Sequence, residues 1–105
     1  MKKMRIAVVS KDGKNVDEHF GQAGRFLIYD FGDTMTFVED RQSEPLSVGD
    51  PHHSFDEQKF GRILALLKDC TKVYVNKIGQ VPAAKLKESG IEPVIYAGAI
   101  ASIPR

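Results

Sequence analysis

Val73-Tyr74-Val75-Asn76-Lys77-Ile78-Gly79-Gln80-Val81-Pro82-Ala83-Ala84-Lys85-Leu86-Lys87-Glu88-Ser89-Gly90-Ile91-Glu92-Pro93-Val94-Ile95-Tyr96 is the stretch that decides the fold class. Val73 to Val75 is a β-branched and aromatic run, as a buried strand requires. Pro82 suits a first helical position, Ala83 to Leu86 propagate a helix well, and Gly90 is a left-handed stop. Val94 to Tyr96 then forms the last strand. A strand, a helix and a strand in this order make parallel strands joined by a right-handed crossover.

Upstream, Phe60, Ile63, Leu64 and Leu67 share one helical face, which predicts a helix through about Lys68. Ser54-Phe55-Asp56-Glu57 fits a capping box at its start. The segment from Arg41 to Pro51, punctuated by Pro45, Gly49 and Pro51, is predicted to be a loop. Phe26 to Phe31 and Thr34 to Val38 form an antiparallel hairpin around a two-residue Gly32-Asp33 turn. Ile6-Ala7-Val8-Val9 is a continuous apolar run, expected of a strand buried on both faces. Tyr29, Phe31, Phe37, Tyr74 and Tyr96 are expected in the core, and Ala99 to Ile103 in a short final helix cut off by Pro104. The fold class is therefore α/β: a single-domain mixed sheet with an antiparallel edge hairpin and parallel βαβ units.

The chain has 105 residues, 42% hydrophobic and 28% charged, with a net charge of +1. Roughly two-thirds of the unfolded surface of such a chain is buried on folding, enough for one core without staples. The charge balance supplies no global field for nucleic acid or anionic membrane. One cysteine, Cys70, excludes an internal disulfide framework and a four-thiolate metal site within one chain. No stretch approaches the ~20 apolar residues of a membrane span, and the basic start Met1 to Arg5 lacks a signal-peptide core, so a cytoplasmic protein is expected.

Chemistry concentrates in Asp17-Glu18-His19-Phe20-Gly21-Gln22-Ala23-Gly24-Arg25-Phe26, between the first two strands. Neutral imidazole is the commonest metal ligand among side chains, and His19 is placed at a strand end with Phe20 to anchor the loop and Gly21 and Gly24 to relieve it sterically. The plainer alternative is an ordinary loop histidine beside an Asp17 turn cap. Lys11, Lys14, Arg25, Arg62 and Lys77 lie near the predicted loops, either as solvated surface or as an anion-binding rim. Cys70, between helix and strand, is read as a small buried hydrophobe. Gly-x-Gly-x-x-Gly and phosphate-loop signatures are absent, and the first strand carries no carboxylate for a two-metal nuclease site.

The Asp-x-His-Phe-Gly-x-Ala pattern at residues 17–23, with Leu67-Lys68-Asp69-Cys70-Thr71-Lys72-Val73 to Ile78-Gly79 and Leu86-Lys87-Glu88-Ser89-Gly90-Ile91-Glu92-Pro93, resembles the dinitrogenase iron–molybdenum cofactor biosynthesis family. The three blocks cover nearly the whole chain in the family's order, as one domain over residues 1–105. The resemblance implies a ribonuclease-H-like fold. It also implies a non-enzymatic part in nitrogen fixation: binding, carrying or sheltering an iron–sulfur-based metallocluster, the iron–molybdenum cofactor or its precursor. The expected partners are the cluster itself and nitrogenase or cofactor-assembly proteins, with no nucleic acid and no membrane.

On that reading His19 is offered to a metal and Phe20 limits water access. The amides of Gly21 and Gly24, with Arg25, receive the cluster's negative charge. His52 or His53, in the loop before the Ser54 cap, is a candidate second contact. Adjacent side chains diverge, so the two do not readily share one metal. Many members of that family carry a cysteine-containing segment there, so the histidines are a departure. The alternative from another class is a metal-independent regulatory or protein-interaction domain using the same loop.

Overall fold

The computed structural model describes residues 4–43 and 57–103. The βαβ unit is present as β5 (Lys72–Val75), α2 (Gln80–Glu88) and β6 (Glu92–Ile95), with β5 and β6 parallel. α2 ends because Gly90 adopts φ +83°. The Ile91 amide then donates to the Leu86 carbonyl at 2.9 Å and the Gly90 amide to the Lys87 carbonyl at 3.1 Å, which satisfies carbonyls the helix would otherwise leave open. Leu86 and Ile91 close this stop within the same apolar cluster. Pro82 is the third helical residue and not the first; the amide it lacks is one that the first turn leaves unpaired in any case.

β6 begins at Glu92, two residues earlier than expected, and takes in Pro93. The amides of Glu92 and Tyr96 donate to Thr71 and Val75 across the sheet, so the alternating Pro93 nitrogen faces the other way, along the outer edge. A missing donor costs nothing there, and it leaves that edge a poor template for a further strand.

β1 (Met4–Val8), β3 (Arg25–Phe31) and β4 (Met35–Gln42) complete a mixed five-stranded sheet of order β4-β3-β1-β5-β6. β1 is antiparallel to β3 and parallel to β5. Phe31 pairs with Met35, so the hairpin turn has three residues, Gly32 to Thr34, where two were expected. β4 also runs on past Val38, and Arg41 and Gln42 belong to the strand and not to the expected loop. Arg41 is held there because its guanidinium reaches the Leu66 carbonyl at 2.5 Å and the Asp69 carboxylate at 2.7 Å, tying β4 to the end of α1 (Glu57–Leu67).

The two faces of β1 are covered differently. Ala7 and Val9 pack under the helices with Phe60, Ile63, Leu67 and Leu86. Ile6 and Val8 lie under a two-stranded ribbon, β2 (Asn15–Val16) with β7 (Gly98–Ala99), and the 3-10 turn Ile100–Ser102 that stands where a short final helix was expected. That ribbon stops short of the hairpin. Phe37, expected in the core, is 53% exposed and touches Tyr29 edge-on at 5.5 Å. The expected Ser54 cap, with His52 and His53, lies outside the described residues.

Candidate functional site

Because β1 and β5 are parallel and β1 and β3 antiparallel, the connections after β1 and β5 and the start of β3 share one edge of the sheet. The chain leaves β1 towards β3 on one side and returns by α1 to β5 on the other, so this edge is the topological switch point. Open α/β sheets bind their ligands there, outside the carboxyl ends of the strands.

The loop over residues 17–24 is fastened to that edge. The Asn76 amide donates to the Glu18 carbonyl at 3.1 Å and the Phe20 amide to the Lys77 carbonyl at 2.8 Å. His19 thereby forms a parallel bridge with Lys77, a one-residue extension of the sheet beyond β5. The His19 amide donates to the Glu18 carboxylate at 3.0 Å, and the Lys11 amide to the Asp17 carboxylate at 2.8 Å. Asp17 thereby ties this loop to the one after β1, while Glu18 holds the amide of its own neighbour.

His19 itself is exposed, in extended backbone with φ −79° and ψ 144°. Phe20 points the opposite way and is wholly buried, 6.0 Å from the Phe26 ring and 6.3 Å from the Phe60 ring. It anchors the loop from within the core and supports His19 from beneath. The 3-10 turn Phe20–Gln22 is closed by the Gln22 and Ala23 amides donating to the carbonyls of His19 and Phe20.

The expected steric role of Gly24 is corrected. The positive-φ glycines of the described residues are Gly13, Gly90 and Gly98, so Gly21 is in ordinary backbone, and a Cβ on Gly24 would meet open space. Arg25 is engaged. Its guanidinium donates to Asp40 at 3.0 Å and to the Lys11 carbonyl at 3.0 Å, and so binds β3 to the loop after β1. Its positive charge remains at the edge, partly balanced by Asp40.

α2 starts at the same edge: its N-cap Gly79 has no side chain to cap the first turn. Asn76 and Lys77, which carry the backbone partners of the histidine loop, were absent from the expected site. The signals for them were their membership in one of the three resembling blocks and, for Lys77, its place among the basic residues of the candidate anion-binding rim. Cys70 lies at the opposite edge, 4% exposed. Burial, reinforced by the Asp69 charge, pushes its thiol up to about 12, so it stays protonated. Among the described residues no three His, Cys, Asp or Glu side chains converge as a metal site, and no helix is long and apolar enough to cross a membrane.

The sequence model of the family described as dinitrogenase iron-molybdenum cofactor matches residues 2–103. The chain belongs to this family. It is 38% identical over 90 residues to the FeMo cofactor biosynthesis protein NifB of Frankia alni, covering 85% of this chain and 18% of that protein. It is 32% identical to the protein NifX of Rhodobacter capsulatus, covering 89% of this chain and 59% of NifX. The chain spans less than a fifth of that NifB and under two thirds of that NifX. The crystal structure of PH0822 shares the fold, with a TM-score of 0.68 at 23% identity over 95% of this chain and 86% of that one.

Proposed function

We propose that this family member binds an iron–sulfur-based metallocluster, the iron–molybdenum cofactor or a precursor, and passes it on without turning it over. The observation that carries this reading is the exposed His19 imidazole, presented on backbone that is hydrogen-bonded to the end of β5. Imidazole is a suitable ligand for such a metal, and a side chain on clipped backbone is aimed before the cargo arrives. The amides of Gly21 and Gly24, the uncapped start of α2 and the charge of Arg25 supply positive potential for an anionic cluster. His52 or His53 is the second contact in this proposal. Phe20 contributes by fixing the loop.

Few protein ligands suit a carrier, since a cluster caged on every side by its host could not be handed to another protein. The donor and acceptor in this reading are nitrogenase or its assembly proteins, and the setting is cytoplasmic. The family resemblance also gives the sheet its ribonuclease-H-like label, which the strand order and directions support. No nuclease activity is attached to it: fold does not carry function, and β1 offers no pair of carboxylates.

The test is anaerobic reconstitution with iron, sulfide and molybdate, followed by absorption spectra and metal analysis. Wild-type protein should retain a chromophore that His19→Ala loses at least tenfold, while unfolding of the metal-free variant stays within about 0.5 kcal/mol of wild type, as for an exposed loop side chain. A His52→Ala/His53→Ala double variant measures the second contact. Equal retention by wild type and His19→Ala removes His19 from the site. No retention by either leaves the metal-independent interaction domain as the better reading.

A further inference from the structure

The ribbon that covers the second face of the sheet ends before it reaches the hairpin, and the step it leaves is a cleft of about 460 Å³. This volume falls in the range of small-molecule sites, roughly 300–1,000 Å³. The cleft is lined by Gly13 and Lys14 from the loop after β1, Tyr29 and Met35 from the hairpin, and Ile100 and Ala101 from the last turn. It lies on the sheet face away from α1 and α2, and its residues are not those of the histidine loop.

The walls are chemically one-sided. Tyr29 presents an aromatic surface that Phe37 continues edge-on, Met35 adds a polarizable thioether, and Ile100 closes the inner end. Burial pushes the Tyr29 phenol up, so its hydroxyl keeps its proton and remains a donor. Among the described residues of the lining the charged one is Lys14. Its backbone is fixed at both ends, the amide donating to the Asp12 carboxylate at 2.8 Å and the carbonyl accepting from the Ile100 amide at 2.8 Å. No carboxylate among the described residues pairs with its ammonium, unlike Lys11, Arg25 and Lys85. The Asp12 carboxylate is itself consumed by the amides of Lys14 and Asn15, the Asn15 side chain and the Ser10 hydroxyl.

From the flat aromatic and thioether walls beside an unpaired, backbone-anchored cation, we propose that this cleft is a second ligand site, for a small planar aromatic carboxylate. The ring stacks on Tyr29 against Met35 and Ile100, and the carboxylate meets Lys14 at the mouth. The site is independent of the cluster reading, because it shares no side chain with it.

The probe is 2-naphthoate, followed by amide chemical-shift mapping and calorimetry on the metal-free full chain, with neutral 2-naphthalenemethanol as its uncharged counterpart. Saturable shifts confined to Gly13, Lys14, Tyr29, Met35, Ile100 and their neighbours are expected. Lys14→Met should weaken naphthoate about fivefold, as befits a partly solvated ion pair, and leave the alcohol unchanged. Ala101→Trp, which fills the cleft from an exposed position, should abolish binding of both, and His19→Ala should alter neither. Absence of saturation, equal weakening of acid and alcohol by Lys14→Met, undiminished binding to Ala101→Trp, or loss of naphthoate binding in His19→Ala would each overturn the proposal.

Discussion

Replacing Phe20 by alanine separates the two jobs of the histidine loop, because Phe20 and His19 are neighbours that point into different media. The Phe20 ring is completely buried and contacts the Phe26 and Phe60 rings, so it joins the loop to β3 and to α1 at one point. Removing it deletes a whole aromatic side chain from a close-packed cluster and leaves a cavity, at about 3–5 kcal/mol. A domain of this size has only about 5–15 kcal/mol in total, so Phe20→Ala should unfold at least about 12 °C below wild type. The assay is urea and thermal unfolding of metal-free protein by circular dichroism, with Phe20→Leu as the volume-sparing control at under about 1.5 kcal/mol. His19→Ala should sit beside wild type in the same experiment. A loss below about 1 kcal/mol for Phe20→Ala would show that the loop is not rooted in the core, and the argument that His19 is held in place would fall with it.

Gly90→Ala should cost about 1–2 kcal/mol through backbone strain alone, since φ is +83° and an added Cβ meets nothing within 4 Å; equal stability would mean that the turn relaxes freely. Asp69 accepts from Arg41 and Arg5, which holds its carboxyl below the usual carboxylate range. Its contribution is therefore present above the unfolded value of about 3.9 and lost as pH falls towards the folded one. With the side chain 38% exposed, screening reduces the effect to about 1 kcal/mol, so Asp69→Asn should lower stability by that amount at pH 7 and show a shallower acid limb than wild type. Cys70, buried and pushed up to about 12, should resist iodoacetamide at pH 8 until the chain unfolds; rapid alkylation of native protein would contradict its place at the inner end of the α1–β5 connection.

Local chemistry dictated what was legible in the sequence. The Leu86-to-Ile91 helix stop follows from one glycine, the α1 face from a 3.6-residue period, and the double burial of β1 from an unbroken apolar run. Each depends on residues close along the chain, where pattern and structure are linked directly. The anchoring of Phe20 is local too, because a large aromatic beside a short turn has few places to go. Tertiary structure decided the rest. Phe37 belongs to an alternating strand and looked like core; its exposure reflects how far a ribbon from residues 15–16 and 98–99 extends, and no local pattern encodes that. Arg41 looked like loop, yet a partner 28 residues away draws it into β4. The pairing of His19 with Lys77 likewise joins residues distant in sequence through backbone groups, which every residue carries alike. Side chains thus announced a histidine with an anchor; the backbone hydrogen bonds that fix where it points exist only once β1 and β5 lie side by side.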